Sequence, residues 1–220
     1  ILTSGKHFPG HGDTYQDSHK ELPLVNFTSD RLNEVEIYPY KSLINNGLSS
    51  VMIAHLNVPK LTGSNKVPTS LSYEVVTKLL KKEMGFKGLI FSDAMNMKGV
   101  LDNKEFKNVD LAAFQAGNDI ILVSDNVPLG IKKIKTAYKN KKISESRLEE
   151  SVKKILIAKY KAGLKNKKII ENKNLFQKLN TKLDTLLVTE AFKKSITLLK
   201  NDHDILPLEE NREYAHIQLG

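Results

Sequence analysis

The sequence predicts an α/β fold built on a parallel sheet. Apolar runs of strand length alternate along the chain with segments of helical periodicity. These runs are apolar throughout rather than at every second position, which is typical of strands covered on both faces. Two architectures are consistent with this pattern, an open doubly wound sheet and part of a (β/α)8 barrel. A complete barrel needs about 250 residues, so a barrel with the four strand-like runs seen before residue 125 would be a C-terminal half.

The first two strand–helix units extend to Gly85. ILTSGKHF predicts the end of a strand, PYKSLINNG predicts a short helix with Pro39 in its first turn, and residues 51–56 predict a buried strand. PTSLSYEVVTKLLKKEMG then predicts an amphipathic helix, because its apolar residues share one face. We expect Ser70 to cap this helix and Gly85 to end it.

Two further strands and three helices are predicted after Gly85. GLIFSDAM and DIILVS predict strands, and VDLAAFQAG predicts a helix that ends at Gly117. VPLGIKKIKTAYKN and SESRLEESVKKILIAKYKAG predict helices, and Ser144 is the expected cap of the second. Beyond Gly163 the sequence becomes polar and rich in Lys and Asn, which indicates a linker.

These changes in composition predict three parts. Residues 1–164 form the strand–helix alternation, residues 165–190 a linker with a connecting helix, and residues 191–220 the start of a further domain. YAHIQLG at the end of the chain predicts a strand of that domain.

The composition excludes several classes of function. The chain has no cysteine, which rules out disulfides, thiol catalysis and cysteine-ligated zinc. Its apolar runs are too short to span a membrane. The net charge of +9 comes from lysines concentrated in residues 132–168. Because few arginines and no interleaved aromatic residues accompany them, we interpret these lysines as a solvated helical face and expect no nucleic-acid partner.

Candidate functional residues follow the predicted strands. In both architectures, active sites form at the carboxyl ends of parallel strands. Lys6 and His7 lie at the end of the first strand, His55 at the end of the second and Asp93 directly after GLIF. We expect His55 to line the resulting pocket. Asp93 can either face the pocket or cap the next segment.

The loop KHFPGHGDTYQDSH concentrates titratable groups in irregular backbone. Pro9 and Gly10 disfavour a helix here. Asp17 and His19 are two residues apart, so in an extended segment their side chains point the same way. Asp17 could then orient the imidazole of His19, a group that transfers protons near neutral pH.

Metal binding is the alternative function of this loop. Several of its side chains are of types that ligate metals, namely His7, His11, Asp13, Asp17 and His19. Pro9 and Gly10 prevent the helical spacing used by zinc-binding histidine pairs. We therefore expect neither a metal nor another cofactor.

Several stretches together resemble one family. KHFPGHGDTYQDSHKELP and GFKGLIFSDAMNMKGV resemble two signature regions of glycoside hydrolase family 3, and the Asp-Ser-His of the loop resembles its β-N-acetylglucosaminidase branch. SVMIAHLNVP and SITLLKNDHDILPL are also similar to the family's usual course. The resemblance implies a (β/α)8 TIM-type barrel followed by an α/β sandwich domain. This chain would carry about four βα units of the C-terminal half of the barrel and the truncated start of the sandwich.

The resemblance also implies residue roles. Asp93 matches the family's nucleophile. His19 matches the general acid/base of this branch, and Asp17 matches its partner. Lys6 and His7 match residues that hydrogen-bond sugar hydroxyls. Met95, beside the nucleophile, either packs on the sugar or fills the core.

The implied function is a retaining glycoside hydrolase that removes terminal β-linked N-acetylglucosamine from cell-wall or chitin-derived glycans, as in peptidoglycan recycling. The alternatives are a β-glucosidase or β-xylosidase of the same family, a phosphorolytic enzyme, and a carbohydrate-binding fragment without turnover. The Asp-x-His loop argues against the first alternative. The compartment is not defined by the sequence, although the lack of cysteine and the apparent further domain point toward an exported enzyme.

The resemblance leads to a prediction about the 220-residue chain by itself. The family's pocket also uses an Arg and an Asp from the first half of the barrel, and a half-barrel leaves strand edges unpaired. We expect the purified chain to hydrolyse a chromogenic N-acetylglucosaminide poorly or not at all unless the N-terminal barrel half is supplied. Substantial turnover by the chain alone would contradict this expectation.

Overall fold

The structure, a computed structural model, describes residues 1–18, 20–166, 172–202, 206–208 and 213–215. The chain divides into two compact units, Ile1–Lys167 and Lys168–Gly220. The predicted boundaries at residues 164 and 190, and the sandwich domain, stay predictions. Most of the predicted strand YAHIQLG lies outside the described residues.

A parallel sheet of four strands forms the centre of the first unit. The strands are β1 (Ser4–Phe8), β2 (Ser50–Ile53), β3 (Leu89–Ala94) and β4 (Ile120–Leu122). They are neighbours in the order of the sequence, β1-β2-β3-β4. Successive strands joined by helices follow one another in this way around a (β/α)8 barrel, whereas a doubly wound sheet reverses its strand order. The predicted fold class is confirmed, and the four βα units form part of a barrel wall.

Helical segments connect β1 to β2 and β2 to β3. They are α1 (Ser29–Arg31), a π-helical turn (Leu32–Glu36), α2 (Tyr38–Asn45), α3 (Pro59–Thr62), a 3-10 turn (Thr69–Leu71) and a π-helix (Glu74–Glu83). The predicted capping role of Ser70 is wrong. The π-helix begins after Tyr73, and Ser70 lies in the preceding 3-10 turn with its hydroxyl 2.6 Å from a ring nitrogen of His55.

The helical segments after β3 complete the first unit and form the described part of the second. They are α4 (Lys98–Leu101), α5 (Val109–Ala116), α6 (Val127–Lys139), α7 (Glu145–Lys161), a 3-10 turn (Leu164–Asn166), α8 (Leu175–Leu179) and α9 (Lys182–Ser195). The predicted cap of α7 is confirmed, because the Ser144 hydroxyl accepts a hydrogen bond from the Arg147 N–H at 3.1 Å. Within the ranges that the structure describes, no helix combines the length and the apolar character needed to cross a membrane.

The core of the first unit lies between the sheet and the surrounding helices. Strand residues that face outward are fully buried against these helices, as Val51, Ile53 and Ile90 show. Their inward-facing neighbours Met52 and Phe91 line a cavity of about 720 Å³, which also borders the starts of the strands and α7. The alternation therefore gives the sheet a closed outer face and an open inner face.

An ionic cluster anchors α7 at the amino end of the sheet. The carboxylate of Asp119, just before β4, is fully buried and accepts hydrogen bonds from the Ile90 N–H at 3.0 Å and from the Ser151 hydroxyl at 2.5 Å. Lys154 Nζ lies 3.3 Å away and Arg147 Nη1 3.6 Å away. This carboxylate thus joins two strands and a helix on the side of the sheet away from the strands' carboxyl ends.

Removing the buried charge of Asp119 should destabilise the fold. We expect Asp119→Asn to lower the free energy of unfolding by about 3 kcal/mol, because the neighbouring cations lose their buried partner. Glu149→Gln is the matched control, since Glu149 pairs with Lys153 at 3.9 Å on the exposed face of α7, and its cost should stay below about 1 kcal/mol. Urea unfolding followed by far-UV circular dichroism measures both changes. Equal costs for the two variants would contradict the anchoring role.

Candidate active site

Asp93 lies at the carboxyl end of β3 and faces the open side of the sheet. Its side chain is 16% exposed, whereas the preceding Ser92 is fully buried and accepts a hydrogen bond from the Leu122 N–H at 3.0 Å. The Oδ1 atom of Asp93 accepts a hydrogen bond from the Ala94 N–H at 2.8 Å. One carboxylate oxygen is therefore held by the backbone while the other points toward β1.

His7 faces Asp93 from two strands away. The Nε2 atom of His7 is 3.8 Å from Oδ2 of Asp93, and the His7 side chain is 31% exposed. This distance allows electrostatic attraction but exceeds a direct hydrogen bond. Lys6, the preceding residue, is exposed. The structure therefore brings Asp93 and His7 together at the carboxyl ends of β3 and β1.

The base of the loop after β1 is fixed by Arg31. The guanidinium binds Glu36 through Nη1 at 2.5 and 2.6 Å and binds Asp13 through Nη2 at 3.0 Å. Gly10, with φ of +146°, packs so closely on Glu36 that an added Cβ would lie 2.7 Å from that side chain. Further along the loop, Gln16 Oε1 accepts a hydrogen bond from the Leu24 N–H at 2.9 Å. Arg31 and Glu36 therefore hold the start of the irregular loop against the helical segments that follow it, and the Gln16 bond joins two parts of the loop itself.

The backbone carbonyl of Asp17 accepts two hydrogen bonds. The Lys20 and Glu21 N–H groups donate to the Asp17 carbonyl at 2.9 and 3.2 Å. The predicted pairing of the Asp17 and His19 side chains assumes an extended segment between them. His19 lies outside the described residues, and its pairing with Asp17 stays a prediction.

His55 and Met95 occupy buried positions beside the site. His55 is 1% exposed, and its ring nitrogens contact the Ser70 hydroxyl at 2.6 Å and the Ala94 carbonyl at 3.0 Å. Met95 is fully buried in an apolar cluster that includes Leu71. Both side chains are enclosed by other protein atoms. The sugar contacts expected of them are untested and stay predictions.

The charge state of His55 follows from its surroundings. Burial lowers the pKa of His55 below its usual value of 6.5, and the hydrogen bond to Ala94 and the carboxylate of Asp93 only partly oppose this effect. The buried imidazole is therefore neutral at pH 7.

No group of three or more metal-binding side chains is found in the part of the chain that the structure describes. Of the loop residues considered as ligands, His11 instead forms a hydrogen bond of 2.8 Å between Nδ1 and the Thr14 hydroxyl. His11 also packs edge-on against His7, with ring centroids 6.1 Å apart.

The fold agrees with a match to a protein-family model. Residues 1–158 match the model described as the glycosyl hydrolase family 3 N terminal domain. The chain belongs to glycosyl hydrolase family 3. The resemblance stated from the sequence is confirmed.

Relatives named beta-hexosaminidase are similar to this chain over two thirds of its length or more. It is 30% identical to beta-hexosaminidase A of Pseudoalteromonas piscicida over 241 residues, which cover 99% of this chain and 39% of the relative. It is 38% identical to a beta-hexosaminidase of Actinobacillus succinogenes over 148 residues, which cover 67% of this chain and 41% of the relative. The chain thus spans about two fifths of the length of these family 3 proteins.

Solved structures of the family have the same fold. A glycoside hydrolase family 3 β-N-acetylglucosaminidase from Paenibacillus sp. str. FPU-7 superposes with a TM-score of 0.83 at 31% identity, covering 92% of this chain and 39% of that one. The β-glucoside phosphorylase BglX superposes with a TM-score of 0.86 at 28% identity, covering 94% and 39%. Both comparisons identify the four βα units as part of a TIM-type barrel.

Two residues beside the site were not predicted from the sequence. Arg31 was not considered, and Ser70 was assigned to a helix cap. Both act through contacts with residues distant in the sequence, Arg31 with Asp13 and Ser70 with His55. The one signal in the sequence is that each lies within about 20 residues of a predicted site residue. Such proximity does not identify the partner of a side chain.

The neutral state of His55 leads to a prediction about stability and pH. In the unfolded chain this imidazole binds a proton near pH 6.5, whereas in the folded chain it does so only at lower pH. Its contribution to stability is therefore complete above about pH 6.5 and is lost as the pH falls toward the lowered folded pKa.

Urea unfolding at pH 7.5 and pH 5 tests this prediction. The unfolding free energy of the wild type should fall with decreasing pH more steeply than that of His55→Gln, by up to about 1.4 kcal/mol per pH unit between the two pKa values. Parallel pH profiles for the two proteins would show that His55 titrates equally in both states.

Proposed function

We propose that this chain carries catalytic residues of a retaining glycoside hydrolase. The enzyme removes terminal β-linked N-acetylglucosamine from cell-wall or chitin-derived glycans. Asp93 is the nucleophile, His19 the general acid/base and Asp17 its partner, and Lys6 and His7 bind sugar hydroxyls. One observation supports this proposal above the others. The Asp93 carboxylate is partly exposed at the carboxyl end of β3, with one oxygen fixed by the Ala94 N–H and the other facing His7.

The first displacement uses this arrangement of the carboxylate. Oδ1 of Asp93 is engaged by the backbone at 2.8 Å, so Oδ2 is the oxygen available to attack the anomeric carbon. As the new bond to Oδ2 forms, the bond from that carbon to the departing oxygen breaks, and protonated His19 donates its proton to this oxygen. The product is a covalent glycosyl-enzyme.

The second displacement restores the enzyme. A water oxygen attacks the anomeric carbon, its proton passes to His19 and the bond to Oδ2 breaks. Two inversions retain the configuration of the sugar. Lys6 and His7 donate hydrogen bonds to hydroxyls during both steps and hold the anomeric carbon near Oδ2.

The names of the relatives support the choice of sugar. Those named above are beta-hexosaminidases, and the Paenibacillus structure is of a β-N-acetylglucosaminidase. The origin of the glycan rests on the sequence resemblance alone. The likeness to a β-glucoside phosphorylase favours one second candidate. In that reaction a phosphate oxygen replaces water in the second displacement and the product is a glycosyl phosphate.

Trapping the glycosyl-enzyme tests the proposed nucleophile. The intact gene product is incubated with 5-fluoro-N-acetylglucosaminyl fluoride and the labelled peptide is mapped by mass spectrometry. We expect the label on Asp93 and a loss of turnover of about a thousandfold or more in Asp93→Asn. Asp102→Asn, which changes an exposed carboxylate at the end of α4, is the control and should keep wild-type activity.

The products of the same enzyme separate the candidate reactions. Hydrolysis with retention first releases the β-anomer of free N-acetylglucosamine, which proton NMR detects. Phosphorolysis gives a glycosyl phosphate only when inorganic phosphate is added, which phosphorus NMR detects. A label on another residue, or inverted product, would contradict the proposed mechanism.

A further inference from the structure

His55 lies against the backbone that carries the proposed nucleophile. It follows β2 and lies beside the end of β3, where its Nε2 is 3.0 Å from the carbonyl oxygen of Ala94. The N–H of the same Ala94 donates to Oδ1 of Asp93 at 2.8 Å. Both polar backbone groups of Ala94 are therefore engaged, one by His55 and one by Asp93.

The hydrogen bonds determine which tautomer of His55 is present. A carbonyl oxygen only accepts hydrogen bonds, so Nε2 of His55 carries the proton that is donated to Ala94. In the neutral ring Nδ1 is then an acceptor, and it receives the hydroxyl proton of Ser70 at 2.6 Å. Ser70 is held in turn, because its carbonyl accepts a hydrogen bond from Asn118 Nδ2 at 2.8 Å.

These contacts form a continuous chain of donors and acceptors that ends at the carboxylate. Each member except Asp93 is almost fully buried or belongs to the backbone, so water does not compete for these hydrogen bonds. Both ring nitrogens of His55 have partners, and buried side chains that are satisfied in this way are held rigidly. The orientation of Ala94, and through it of the Asp93 carboxylate, is consequently set by side chains that do not face the open side of the sheet.

We propose that His55 and Ser70 are positioning residues that fix the Asp93 carboxylate for attack through the backbone of Ala94. The inference rests on the proposed function, since it takes Asp93 as the nucleophile. It differs from the sugar contact expected from the sequence, because the His55 side chain is only 1% exposed and both ring nitrogens have partners within the protein.

Such positioning should act on the rate of the chemical step and not on sugar affinity. An error of about 1 Å in the position of a reacting group can cost roughly a hundredfold in rate. Substrate binding uses other side chains and should change little. A residue that touches the sugar would instead alter affinity, and a purely structural residue would alter stability but not the rate per folded molecule.

Variants of the intact gene product test the proposal. His55→Leu removes both hydrogen bonds and should lower kcat roughly a hundredfold, with the affinity for N-acetylglucosamine unchanged within about twofold. His55→Gln retains an amide donor at the position of Nε2 and should recover most of this loss. Ser70→Ala removes only the support of Nδ1 and should lower kcat less than His55→Leu does. Thr77→Val is the matched control, because it removes a hydrogen bond of 2.6 Å from a hydroxyl to the Ala116 carbonyl and should leave kcat unchanged.

A spectroscopic measurement provides a readout that does not depend on turnover. The ¹⁵N shifts of the imidazole should show the Nε2–H tautomer in the wild type and a mixture of tautomers in Ser70→Ala. This readout and the Ser70→Ala kinetics keep the proposal testable if His55→Leu does not fold. Unchanged kcat in a folded His55→Leu, weakened sugar binding at unchanged kcat, or the Nδ1–H tautomer would each overturn the proposal.

The outcomes also separate this inference from the proposed function. If the wild type is labelled at Asp93 and the His55 and Ser70 variants react at the wild-type rate, the positioning role is wrong and the proposed nucleophile stands. If the wild type is labelled elsewhere or not at all, the proposed function is wrong. The catalytic part of this inference then fails with it, even where the Nε2–H tautomer is observed.

Discussion

The register of the parallel strands is the constraint on which the rest of the site depends. Ile53 of β2 lies opposite Phe8 of β1 and also opposite Ser92 of β3. The carboxyl ends of these three strands are therefore level. The residues adjacent to these pairs, His7 on β1 and Asp93 on β3, face each other across the same open side of the sheet. The β1–β2 register is irregular between Gly5 and Phe8, whereas the β2–β3 register is unbroken from Ser50 to Ile53. A shift of one residue in the β2–β3 pairing would turn Asp93 toward the helices, because successive side chains alternate between the faces of a strand.

The alternation of side chains along β3 also determines how far the Asp93 carboxylate is exposed. Ser92 points outward into the buried layer and is satisfied by the Leu122 N–H, while Asp93 points inward and keeps a partly exposed side chain. A carboxylate in this position stays accessible to a ligand without the cost of full burial. The loop after β1 is brought to the same rim by the bonds of Arg31 to Glu36 and Asp13, so two kinds of element meet there, a rigid strand end and an anchored irregular loop.

Local signals in the sequence predicted correctly those features that depend on residues nearby in the chain. They predicted wrongly where a contact with a distant residue determines the role of a side chain. The apolar runs predicted the sheet because burial on both faces leaves few polar positions, and Ser144 caps α7 because capping needs only the next turn. Ser70 carries the same local signal, but its hydroxyl binds His55, which pairwise spacing cannot reveal.

Two carboxylates at opposite ends of the strands, Asp119 and Asp93, have different surroundings, and these suit one to stability and the other to the proposed chemistry. At the amino end, the carboxylate of Asp119 is fully buried and surrounded by Lys81, Lys154 and Arg147, and burial together with the nearby guanidinium lowers the pKa of Lys81. Such a carboxylate is fixed by its partners and has no access to a ligand. At the carboxyl end, Asp93 is oriented by one backbone donor and faces an imidazole beyond hydrogen-bond distance. A carboxylate held at one oxygen keeps the other available to form a bond, which is the property a nucleophile requires.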